Sequence, residues 1–408
     1  MFLLKLALLN IGRNRKRSFV TLLAVGVGLA SLIFLWAFFD GSQNQQRENV
    51  IRLLTGHVQI HAAGFEKKLS PELTIPDRKK VLDYLSHHPL VKQVSERVKL
   101  QGLVGTSKNS RGVMIVGLDL VRESRVTEIH QYVDEGKFLV KGENRQVLIG
   151  EKLAEILEVE EGSKVVIMTQ AMDGTLAGFA YKIKGMVHSG TRALDESMVF
   201  MSIEAAQELL GIGSETNEII IRLQNKEVIP AFLSDFQKKF LEPPYEALSW
   251  NVIAPVIEQF ARYSDSITGT AMIAVMVVIA VGIMNTILMS IFERTKEIGV
   301  MLAVGTSPMR IVLLIFLETL ILTILGILLG ILLSVFLVIY FGHVGIPLVG
   351  FKDAFAESFM SNVIYPIIRI KRLLSCVSML LGISAVIGLY PAWKASRMEP
   401  VKAIYHSY

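Results

Sequence analysis

The sequence predicts a membrane protein of the α-helical class, with four transmembrane helices and a large α+β extracytoplasmic domain inserted between the first and second spans. The prediction rests on the way apolar residues are distributed. They concentrate in four long runs that are nearly free of charge, while residues 40–265, between the first two runs, read like an ordinary water-soluble domain. At 51% hydrophobic and 19% charged, the 408-residue chain is also more apolar than a typical soluble protein.

Residues 1–18 form a basic N-terminal segment carrying Lys5, Arg13, Arg15, Lys16 and Arg17, followed by the uncharged run 19–39. A cleaved signal peptide would have an apolar stretch of only about 7–15 residues and a small-residue cleavage site. Here the run ends in Phe38, Phe39 and Asp40, so it is expected to stay as an anchor. The other spans are expected at 266–292, 311–341 and 373–393, each long enough for the about 20 residues that a bilayer requires. Basic residues flanking the spans put both termini in the cytoplasm, with Lys394, Arg397 and Lys402 in the tail 394–408. The segment 293–310 is then cytoplasmic and the loop 342–372 extracytoplasmic. Arg369, Lys371 and Arg372 run against this charge rule and are expected to snorkel to the headgroups. Glu318, the one charge in the third span, is expected either to pair with a base such as Arg310 or to reach the interface. The lone Cys376 excludes an intramolecular disulfide.

Within 40–265, short β-rich runs bounded by turn residues occur at 57–61, 113–116, 147–149, 164–168, 181–187, 198–201 and 218–223. Helical patterns lie between them: 77–87 before Pro89, 151–157, and 202–210 with a Ser202 cap and a Gly211 stop. Strands and helices mixed without regular βαβ alternation point to an α+β domain, with two lobes as an open possibility.

A phosphate-binding loop is missing: Gly136-Lys137 and Gly162-Ser163-Lys164 lack the upstream glycine at the required spacing, so ATP hydrolysis is expected on another polypeptide. His57 and His61 alternate on a strand with Gln59 and lack a third ligand, which favours polar strand-face histidines over zinc. No catalytic residues, metal site or nucleophile elbow is expected. The net charge of +5 is mostly juxtamembrane and calls for anionic lipid rather than nucleic acid.

The segment between the second and third spans is the most informative. Glu293, Arg294, Lys296, Glu297, Ile298 and Gly299 lead to an Ala-x-Gly turn at Ala303 and Gly305. It resembles the ATPase-coupling element of the MacB/FtsX-type ABC transporter permeases. Read as residues, it suits docking: Gly299 and Ala303 are small and four apart, Val300, Met301 and Leu302 can enter a groove, and charges ring them. A plain interfacial connector is the alternative. One span, a large domain and three further spans is that family's order. Gly56–Ile60, Val116–Asp119, Leu148–Ala154 and the stretch from Ser189-Gly190 through Leu194-Asp195 to Met198–Phe200 look most like its lipoprotein-releasing (LolC/LolE-type) branch.

The resemblance implies two such permeases, as like or unlike chains, on a cytoplasmic ABC ATPase dimer that binds ATP and magnesium, none of it bound by this chain. It implies mechanotransmission, with a lipoprotein extracted from the inner membrane and passed to a periplasmic chaperone. Export of a drug, peptide or toxin in the MacB manner, or signalling to cell-wall hydrolases without transport, are the alternatives, and an ectodomain enzyme lacks any motif. Phe34, Trp36, Phe38 and Phe39 crowd the outer end of the first span and suit a lateral gate for lipid or cargo, or equally an interfacial aromatic belt. Gly26 and Gly28 in the first span and the Gly326/Gly330 pair in the third suit close helix packing.

Overall fold

A computed structural model describes residues 2–13, 15–189, 191–240, 245–348 and 363–399. Gly190, Lys402 and the part of the 342–372 loop between 349 and 362 lie outside the described residues. The described chain forms two compact units, one built from 2–42, 261–347 and 363–399, the other from 43–260.

The first unit is helical. An N-terminal helix, Phe2–Arg13, precedes the first spanning helix, Arg15–Val50; the second is Pro255–Glu293, the third Pro308–Val344 and the fourth Ile370–Ser396. All four are long and apolar enough to cross a membrane. At 1.5 Å per residue the 39-residue second helix is about 58 Å long, well beyond the ~30 Å hydrocarbon core. The apolar runs read from sequence are therefore the interiors of longer helices, whose polar ends the hydropathy pattern alone could not assign. The bundle core is aliphatic, with Val25, Leu29, Ile279, Ile315 and Leu380 among its buried members.

Small residues set the helix spacing. A methyl group added at Gly326 would stand 2.6 Å from Val25, and one at Gly330 would stand 2.8 Å from the carbonyl oxygen of Gly26. One at Gly26 would in turn meet Leu329, and one at Gly28 would stand 2.7 Å from Ile279 of the second span. The four glycines are thus where the first span approaches the third and second closely enough to exclude a side chain.

The second unit is a ten-stranded sheet with helices against it. Its strands are β1 (Val58–Ala62), β2 (Val91–Gly105), β3 (Ser110–Leu118), β4 (Val133–Gly136), β5 (Gln146–Gly150), β6 (Lys164–Gln170), β7 (Leu176–Val187), β8 (Met198–Ser202), β9 (Glu218–Leu223) and β10 (Tyr245–Ser249). They run in the order β10-β1-β9-β2-β3-β8-β5-β7-β4, with β6 pairing to β2 and β7. Only β3/β8 and β5/β7 are parallel. Three apolar cores lie against the one sheet. One gathers Ile60, Val81, Ile221 and Phe232, a second Leu100, Ile115, Val165 and Leu209, and a third Val116, Leu118, Leu148 and Phe200. β2 bridges the first two, pairing with β9 through its first half and with β3 and β6 through its second.

Local signals account for the helices that were legible. Ser202 accepts from the N–H of Ala205 at 3.2 Å, and Gly211 ends that helix at φ +70°. Two of the pieces that carry the family resemblance, Leu148–Ala154 and the stretch from Ser189 to Phe200, meet in space. Gly150 lies against the backbone of Asp195, Glu151 pairs with His188, and Asp195 accepts from the N–H of Ser189 at 2.9 Å.

Candidate functional site

The segment joining the second and third spans folds as a short helix, Thr295–Ala303. Arg294 is non-helical (φ −111°, ψ 15°) and breaks the chain from the second span. At the far end Gly305 adopts φ +91°, its N–H donating to Leu302 O at 3.0 Å, while Thr306 N–H donates to Met301 O at 2.9 Å. This pair of reversed bonds is the Schellman stop, and it explains why glycine stands there. Pro308 then starts the third span without wasting a donor.

The helix divides the expected coupling residues by face. Ile298 and Gly299 are buried, and Met301 and Leu302 pack against the bundle core. Glu293, Lys296, Glu297, Val300, Ala303 and Gly305 are exposed, and Val304 is 82% exposed. Gly299, Met301 and Leu302 therefore serve the chain's own packing, and the surface offered to anything else is Val300, Ala303 and Val304 with charge beside it.

Arg294 is only 8% exposed, and its Nη1 donates to both oxygens of Glu318, also 8% exposed, at 2.9 and 3.1 Å. Glu318 thus takes Arg294 as its cation; Arg310, suggested by proximity in sequence, is exposed. Asn10 of the N-terminal helix donates to the same carboxylate at 2.5 Å. Arg13 donates to both oxygens of Glu297 at 2.6 and 2.8 Å, and Arg17 reaches Glu293 at 2.6 Å and Ser290 at 2.8 Å. The hydrogen bond from Arg13, with help from Arg294, holds the Glu297 carboxyl below its ordinary range and pushes the Arg13 guanidinium up. Asn10 escaped the sequence reading, and Arg13 and Arg17 were read only as charges that set the topology; the three-residue spacing of Asn10 and Arg13, which puts them on one face of the N-terminal helix, was the available signal.

At the other end of the spans, Arg369 and Arg372 do more than snorkel. Asp40, 1% exposed, lies 3.4 Å from Arg369 and 3.3 Å from Arg372, and Arg372 also bonds Asp265 at 2.8 Å. Arg372 stacks on Trp36, 4.1 Å from the ring centre. Phe34 meets Phe341 of the third span at 5.6 Å, and Phe38 and Phe39 form an edge-on pair. All four aromatics are half-buried.

In the inserted unit, His57 and His61 are structural. The Nδ1 of His57 accepts from the N–H of Leu223 at 3.1 Å. His61 is fully buried, with Nδ1 3.1 Å from the carbonyl of Asn217 and Nε2 3.1 Å from the side-chain amide of Gln59. Burial pushes both imidazoles below their ordinary pKa. A neutral His61 donates one hydrogen, to Asn217, and accepts at Nε2 once the Gln59 amide turns its NH₂ inward.

A family model described as MacB-like periplasmic core domain matches residues 18–239, more than half of the chain, and one described as FtsX-like permease C-terminal matches residues 269–400. The chain belongs to the MacB/FtsX-type ABC transporter permeases. This permease is 23% identical over 410 residues to the lipoprotein-releasing system transmembrane protein LolC of Neisseria meningitidis serogroup B, covering 96% of the permease and 95% of LolC. It is 24% identical to the macrolide export ATP-binding/permease protein MacB of Acinetobacter baylyi, covering 98% of the permease but 59% of MacB. Among solved structures, the periplasmic region of MacB from Actinobacillus actinomycetemcomitans matches at a TM-score of 0.35 and 15% identity, over 52% of the permease and 96% of that chain. The extracellular domain of the transporter YknZ matches at 0.34 and 12%, over 48% and 100%.

Proposed function

We propose that this permease extracts lipoproteins from the inner membrane for transfer to a periplasmic chaperone. Both termini and the 293–310 segment would face the cytoplasm. Two permease chains would sit on two ABC ATPase subunits, which would hold the ATP and magnesium. The exposed rim of the Thr295–Ala303 helix, with Val300, Ala303 and Val304 outward, is the surface those subunits would engage.

End-to-end likeness to LolC carries the reading: each chain is covered over at least 95% of its length, whereas the MacB relatives extend far beyond this permease. Extraction without passage through the cytoplasm asks the permease to transmit motion rather than to line a pore. The half-buried aromatics Phe34 and Phe38 at the end of the first span suit contact with acyl chains. Export in the MacB manner is the second reading, favoured by the equal identity to those relatives.

A photo-reactive residue in place of Phe38, in the working complex, separates the two. Lipid-anchored protein should be captured before ATP is added and lost after it. Capture of non-lipidated cargo alone, from a complex that hydrolyses ATP, would transfer the reading to export.

A further inference from the structure

We propose that the N-terminal helix, which directly precedes the first span in sequence, is a strut between the coupling helix and that span, with Arg13 as its positioning residue. The inference rests on the reading of Thr295–Ala303 as the ATPase-coupling helix. That helix is bounded by two points where the backbone leaves helical geometry, Arg294 and the left-handed Gly305. Such points absorb displacement, so a push on the helix would be partly lost before it reached the second and third spans.

The side chains supply a route that avoids both bends. Arg13 holds Glu297 of the coupling helix through one nitrogen, Nη2, which donates to both carboxylate oxygens. Asn10, one turn earlier, holds Glu318 of the third span, the residue that also holds Arg294. Arg17, at the start of the first span, holds Glu293 and Ser290 at the end of the second. Asn10, Arg13, Glu297, Arg294 and Glu318 therefore form one connected polar set across the N-terminal helix, the coupling helix and the third span, while Arg17 makes a separate contact that ties the first span to the second.

The members differ in what they contribute. Arg294 and Glu318 are buried, and removing either leaves a charge stranded in the bundle. Arg13 and Glu297 are about half exposed, a setting in which an ion pair adds little to folding. Arg13 can therefore be changed without unfolding the bundle, and what it would alter is transmission.

The test uses the full chain with its ATPase subunit in lipid nanodiscs, with spin labels at Ser31→Cys of the first span and Ser378→Cys of the fourth. In the otherwise unsubstituted chain, adding ATP and magnesium should shift the label distance. Arg13→Glu and Arg13→Gln should reduce that shift to less than half, and Arg13→Lys should keep most of it. In all three the nucleotide-free distance should stay unchanged, with ATPase association and hydrolysis within twofold. A full shift in Arg13→Glu overturns the strut and leaves the coupling reading standing. The same holds if the unsubstituted chain hydrolyses ATP with no shift. Failure of any ATPase to bind the unsubstituted chain overturns the coupling reading, and the strut with it.

Discussion

Arg97 sits 1% exposed at the centre of β2, donating to Glu123 at 2.5 Å, to Glu218 at 3.3 Å and to the carbonyl of Leu54 at 2.6 Å. Ser95 and Thr127 complete the shell around Glu123. Burial opposes charge on both partners, but mutual attraction and hydrogen bonds outweigh it, keeping the Arg97 pKa above and the Glu123 pKa below their ordinary values. Arg97→Met leaves two carboxylates buried without their cation, and is expected to destabilise the inserted unit by about 3–5 kcal/mol, read as earlier protease sensitivity on heating. A pH dependence follows from His57 and His61. Their folded pKa values lie below the unfolded value of about 6.5, so the unfolded chain takes up protons first as pH falls. The inserted unit should be fully stable above that value and lose stability progressively below it. His61→Gln should flatten the profile between pH 7 and 5 if the unit still folds. These residues also show what the sequence concealed. β2 carries Lys92, Gln93, Ser95, Glu96, Arg97 and Lys99, a composition that reads as surface, yet Ser95, Glu96 and Arg97 are buried, each met by a partner from a distant segment. β9, written Glu-Ile-Ile-Ile-Arg-Leu, was readable at its true bounds from its run of isoleucines, although its buried Glu218 is a further partner of Arg97.

For the helices, sequence and structure agree best where a backbone requirement forces the residue. Gly305 had to be glycine to reach φ +91°, and the Ala-x-Gly pattern revealed it. The Gly326/Gly330 pair marked a packing face, though only coordinates show that its partner is Gly26 of the first span. Gly330→Leu should force the first and third spans apart and cost about 1–3 kcal/mol, with the purified chain aggregating at lower temperature. Gly282, in the second span, has nothing within 4 Å of an added methyl group, so Gly282→Ala should leave that temperature unchanged or raise it. The cluster of Asp40, Arg369, Arg372 and Asp265 was illegible for a different reason: the basic residues alone looked like a violation of the flanking-charge rule. Their acids lie about 100 residues or more away in sequence, and nothing local announces them.

On the scale of the whole molecule, a bundle with a polar chain of contacts at one end and an acid–base cluster at the other is joined in sequence to a β-rich unit of its own core. The permease carries no phosphate-binding loop in its sequence, while its bundle ends in a helix whose outward rim is apolar and unusually exposed. With Ala303 between them, Val300 and Val304 form a small exposed apolar patch that a docking partner would cover. The proposal that an ABC ATPase covers them is the claim on which the rest depends. It is tested most directly by isolating the full chain from its native membrane and measuring the ATPase subunit that accompanies it. The expected result is a stoichiometric ABC ATPase with the unsubstituted chain and at least a tenfold loss with Val304→Glu, whose side chain can be changed without disturbing the bundle. No accompanying ATPase, or undiminished association in Val304→Glu and Ala303→Arg alike, would contradict it.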